Sequence, residues 1–157
     1  MREIRIRNLN PPLKTAIFFF CLYCTFGPFI NLGYHISKKG IGVENVKKYY
    51  IGSEDEMLPG QSLVSIFEVM HFHTWAQSSA IFILSAIFSI SSFRYKSFII
   101  GLTFIFSIGH IFLPSFVRFV HPNFSYPLFI TTFGLSFNTI LMALWIIKDV
   151  FSRRISD

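Results

Sequence analysis

The sequence is short of charge. Only 14% of its 157 residues are Asp, Glu, Lys or Arg, where a soluble domain carries roughly a quarter. Within the long apolar runs Glu68 is the only acid. That scarcity excludes a di-iron carboxylate centre, which needs four carboxylates, although E-V-M-H supplies one Glu-x-x-His. Cysteine is equally thin, with Cys21 and Cys24 the only two. In C-L-Y-C the next residue is Thr25 rather than His, which excludes covalent c-type haem there. Both thiols sit inside an apolar run and read as small packing residues. The sequence also has no phosphate loop, no dinucleotide fingerprint and no nucleophile beside a base, which argues against soluble-type catalysis. Glu54, Asp55 and Glu56 are adjacent, without the alternating ligands of a calcium loop. The net charge of +6 does not imply nucleic acid, because the basic residues flank apolar runs and form no helical face or aromatic platform.

What the sequence does have is apolar length. Apolar residues make up 52% of the chain, with 21 Phe. They fall into four runs of membrane-spanning size, at about 15–34, 63–90, 98–120 and 128–147. The predicted fold is therefore an all-α, integral-membrane, up-down four-helix bundle, a single domain over 1–157. Arg2, Arg5, Arg7 and Lys14 precede the first run, and Pro11 with Pro12 is expected to hold that tail off the helix. No A-x-A-like site follows, so the run is kept as a span and not a cleaved signal. Pro28 beside Gly27 is expected to kink it. The connection 35–62 is long and polar; Val43 to Tyr50 reads as a short interfacial helix with Tyr49 and Tyr50 at headgroup level. Nine Lys and Arg lie on the side of the termini and the 91–97 turn, and five on the other. By the positive-inside tendency both termini are expected in the cytoplasm, in a bacterial inner membrane, with 35–62 outside.

Against this apolar background Ser65 to Ser78, S-I-F-E-V-M-H-F-H-T-W-A-Q-S, stands out. Ionisable groups at membrane depth are costly and mark function by default. At 100° per residue Glu68, His71, Trp75 and Ser78 share one face, and His73 and Gln77 share a nearly opposite one. On the third run Thr103, Ser107, His110 and Pro114 form a stripe; on the fourth, Thr131, Gly134, Asn138, Met142 and Trp145 do. His71 and His110 come out at similar depths, roughly 12 to 15 Å below the outer ends of their helices. All five histidines fall in the outer half, with His35 ending the first span and His121 in the last connection.

Two histidines at one depth, with Glu68 a turn from His71, predict a functional site. His71 and His110 can supply both axial ligands of a b-type haem, with His73 as the substitute and Trp75 and Arg118 nearby. A quinone could bind there instead, exchanging protons with Glu68 and a histidine. A transition metal held by His71, His73, His110 and His121 is the third expectation. Glu68 is expected to be protonated, or paired with His71 or Arg118. The expected partners are the lipid bilayer and a quinone or membrane redox complex.

H-F-H-T-W, following a polar loop and leading into an Ile/Phe-rich span, resembles the second helix of small four-span bacterial membrane proteins with a motif close to Thr/Ser-His-x-His-Leu/Phe. Some of those proteins carry a Cys-x-x-Cys-His haem insert in the preceding loop, so the resemblance implies membrane electron transfer. It covers about a quarter of the chain and carries over His71 and His73. The loop here is shorter and has no cysteine. The expected function is an outward-side histidine site linked to haem or quinone; the alternative is a non-enzymatic accessory or assembly subunit whose polar stripes only hold helices together.

Overall fold

A computed structural model describes residues 5–152, so the basic residues Arg2, Arg153 and Arg154 counted for orientation lie outside it. Four helical rods make up most of it. The first, α1 (Pro11–Lys39), begins earlier and ends later than its apolar run. Asn10 Oδ1 accepts the Leu13 N–H at 3.1 Å, and Pro11 and Pro12 sit where a helix has no N–H to lose. The proline pair thus opens the helix instead of holding the tail away from it. At the other end Gly40, at φ 75, closes the last turn by bonding its N–H to Ile36 O. The extension past Tyr34 makes His35 a helical residue.

The short helix α2 (Val43–Ile51) follows, then a two-residue antiparallel hairpin, β1 (Gly52–Ser53) and β2 (Leu58–Pro59). Tyr50 is buried against Ile66, Val117 and Leu128. It therefore plugs one end of the bundle, where the sequence suggested a ring lying among headgroups. Arg118 pins this layer, donating from Nε to Gln61 O at 3.0 Å and from Nη1 to Ile51 O at 3.2 Å.

The second rod is composite. Helix α3 (Leu63–Phe72) passes through a π turn at His73–Gln77 into α4 (Ser78–Ser89). Its start is capped by Ser62 Oγ, which accepts the Ser65 N–H at 3.1 Å. Helices α5 (Lys96–Phe119) and α6 (Ser125–Phe151) complete the chain. Among the described residues three helices are long and apolar enough in one piece to cross a membrane: α1, α5 and the 122–151 segment that holds α6. The molecule is an all-α membrane protein.

Helix α6 is the hub, packed against α1, α4 and α5. The α5–α6 contact is close because of glycine: a Cβ on Gly109 would meet Thr131 Cγ2 at 2.6 Å. Two apolar clusters fill the interior. One, toward the chain termini, is built from Ile17, Cys21, Leu84, Phe88, Met142 and Ile146; the other lies under α2 around Tyr50. The termini end is also tied by Asp149, whose carboxylate accepts the Ser92 N–H and hydroxyl at 2.6 and 2.7 Å.

Candidate functional site

Three histidines from three rods meet below α2. The rings of His73 and His110 lie 5.3 Å apart at 86°, and those of His35 and His110 6.4 Å apart at 84°. These are edge-to-face contacts. His110 is the centre of the row and is buried. Its Nδ1 lies 3.0 Å from Thr132 Oγ1, while that hydroxyl donates its proton to Leu128 O at 2.8 Å. The threonine oxygen is therefore free to accept, and His110 donates to it from Nδ1.

A cavity opens on each side of the row. The first, about 410 Å³, is bounded by Asn31, Tyr34, His35, Tyr49, Tyr50, Gln61, Ser65, Glu68 and His73. Ile66, Val69, Phe72 and Pro114 complete its wall, so polar tips are set into a largely apolar surface. The phenol of Tyr49 is pushed up by burial and then by Tyr34, and burial raises Tyr50 further; both stay neutral donors at physiological pH. The second cavity, about 470 Å³, is a slot between α1 and α6 bounded by Phe29, Leu32, Ile36, Phe129, Phe133, Phe137 and Ile140, with His35, His110 and Thr132 in its wall. His35, Asn31 and Tyr50 belong to both.

The predicted site residues are only partly brought together. His73 reaches His110, whereas His71 is exposed on the far side of the rod and does not face it. The reason is the side of the rod on which α5 lies: Gln77 Nε2 donates to Ser107 Oγ of α5 at 2.9 Å, which fixes the His73 face inward. Trp75 shares the outer face with His71 and is 68% exposed. Glu68 stands in the wall of the first cavity but away from Arg118, whose guanidinium is engaged by the two backbone carbonyls already described. His121 lies in the α5–α6 connection and accepts the Asn123 N–H at Nδ1, 3.1 Å. The expected set of His71, His73, His110 and His121 is thus spread over three places. Among the described residues no three His, Cys, Asp or Glu side chains gather in a metal-holding cluster.

His35, Thr132, Tyr49 and Tyr50 were not singled out for the site by the sequence. The one signal for His35 was Gly40, the stop that carries α1 past it.

No curated protein and no solved structure matches the chain. A family of transmembrane helical domains, Aq_1264_TM, matches residues 40–157. That stretch contains His73, His110, Thr132 and both tyrosines but stops short of α1 and His35; it speaks to a small helical membrane protein and carries nothing about a His-x-His motif or a haem insert. With three quarters of its length inside the match, the chain belongs to the Aq_1264_TM family of transmembrane helical domains.

Proposed function

We propose that the protein is a bacterial inner-membrane component that binds a quinone or quinol at the histidine row and exchanges protons with it. The observation that carries this reading is the pair of unlike cavities meeting at one histidine cluster. A membrane quinone has a polar ring and a long apolar tail, and the slot from Leu128 to Ile140 runs about 18 Å along α6. Its volume lies in the range of small-molecule sites. A ring at the head of that slot meets His110 and His35. His110 takes up a proton from a quinol hydroxyl, and Glu68 with the tyrosines lines a route onward to the outer surface. Oxidation of the quinol releases two protons and two electrons; the protons pass to the histidines, and the electrons to a partner redox protein in the membrane.

A b-type haem at the same histidines is less well supported. The rings pack edge against face, so a porphyrin between His110 and either neighbour requires the row to part. A single transition metal has the weaker donor set described above. The accessory-subunit reading shares the fold but leaves the slot without a ligand.

Equilibrium binding of a short-tailed ubiquinone to detergent-purified protein tests the proposal. Saturable binding near one per chain is expected, and His110→Leu should weaken it about tenfold, the equivalent of one lost hydrogen bond of about 1.4 kcal/mol. No saturable binding overturns it in favour of the accessory subunit. A Soret band in protein expressed with ample haem overturns it in favour of haem.

A further inference from the structure

The second rod carries a face that nothing in the chain covers. Val64, Glu68, His71 and Trp75 recur at steps of four, three and four residues, which puts them on one side of the rod. All four are exposed, Val64 at 66% and Trp75 at 68%. The opposite side, with Ile66, Met70 and His73, is the one that packs on the bundle.

This face is not headgroup surface. Counted from Leu63, Glu68 and His71 lie about 8 and 12 Å along the helix, and exposed Phe67, Val69 and Phe72 flank them. Among the described residues neither side chain makes a hydrogen bond, an ion pair or a ring contact. Ionisable groups at membrane depth face a bundle interior or a water-filled cavity, and pair there. Glu68 meets that rule on one side only, at the wall of the first cavity, and His71 lines neither cavity.

Whatever covers such a face must bring a base to Glu68 and an acid to His71. A second copy of the chain brings both, at matching depths. Two copies inserted the same way up are related by a two-fold axis along the membrane normal, and an interface of that kind is self-complementary. The four-three-four spacing is the seam of a parallel helix pair, in which a side chain of one helix settles between neighbours a turn apart on the other.

We propose that the protein forms a two-fold dimer through the Val64–Glu68–His71–Trp75 face, in which Glu68 of each copy bonds to His71 of the other. Polar side chains that bond across helices in this way hold membrane helices together. The seam joins finished bundles, so the fold of each chain does not depend on it. It goes beyond the quinone reading and does not rest on it, because His71 and Trp75 lie outside both cavities.

Cross-linking of the full chain in its membrane tests the dimer, with Cys21→Ala and Cys24→Ala removing the two native thiols. On oxidation Val64→Cys should give a species of twice the 18.2 kDa chain, and Ile130→Cys, 62% exposed on α6, should not. No link at Val64→Cys, an equal link at Ile130→Cys, or a link from Val64→Cys only to a different membrane protein overturns the proposal. Energy transfer between labelled copies in phosphatidylcholine vesicles reads the pairing itself. Glu68→His or His71→Glu alone should raise the dissociation constant about tenfold. The double variant exchanges the two groups and should restore it to within about threefold of wild type. A dimer indifferent to both single substitutions, or one that the exchange does not restore, overturns the proposal. Should a swapped chain fail to insert, the cross-link made with Glu68 and His71 in place decides.

Discussion

His110 is the residue at which the interior histidines meet, and its neighbours divide into those that hold it and those that only lie close in sequence. Thr132 fixes its tautomer, and His73 packs its edge against the ring. His71, two residues away, touches neither. Sequence phase separated the two histidines onto nearly opposite faces but could not say which face met α5, because both were polar. The Glu68–Trp75–Ser78 face looked richer, yet His71 and Trp75 on it are exposed, and the single Gln77–Ser107 bond was the deciding contact. The consequence is an asymmetry in stability. His73→Ala should cost about 1 kcal/mol through the lost ring contact, while His71→Ala should stay within about 0.5 kcal/mol. Thermal melts of both variants in one detergent check this, and a costly His71→Ala with a silent His73→Ala would reverse the assignment of faces.

At the scale of elements, α2 is the moving candidate. It covers both cavities, it is held by the buried Tyr50 ring and the Arg118 bond to Ile51 O, and its glycine flanks Gly42 and Gly52 have φ values of 105 and 94. Its surface ion pairs, Lys47 with Glu44 and Lys48 with Glu56, raise both lysines through those hydrogen bonds. Because burial raises the folded pKa of Tyr50, docking stability is complete below the unfolded value near 10 and is lost as pH rises from there toward the folded value. Tyr49 and the lysines add losses of the same sign. Protease cleavage at the exposed 54–57 turn should therefore accelerate above about pH 10, and less steeply in Tyr50→Phe. Identical pH profiles for the two proteins would show that Tyr50 does not hold the lid. The existence of α2 was legible in the Val43–Tyr50 pattern. Its docking was not, since nothing local distinguishes a tyrosine for the headgroups from one that fills a gap between Ile66 and Leu128. The π turn was invisible for a similar reason: H-T-W-A-Q carries no proline or glycine to announce it.

For the whole molecule the apolar runs were enough to read an all-α membrane protein, because hydrocarbon allows few other ways to satisfy the backbone. Helix ends were read less well. Capping by Asn10 and Gly40 overrides hydropathy, so α1 extends at both ends and brings in His35. Which end of the bundle faces outward rests on basic residues alone, nine against five, three of which lie outside the described residues. Orientation decides what the cavities can do, since a quinol site with a proton route is useful on the side where protons are released. Reporter fusions after Gln61 and Pro122 should be active outside, and fusions after Ser97 and Asp157 inside. The pair at Gln61 and Ser97 is the sharpest, because it brackets the composite rod that the π turn divides into α3 and α4. Opposite sides make it a fourth crossing and set the histidine row at the outer face. If Gln61 and Ser97 report the same side, the rod does not cross, and His73 no longer reaches the histidine row from a membrane-spanning helix.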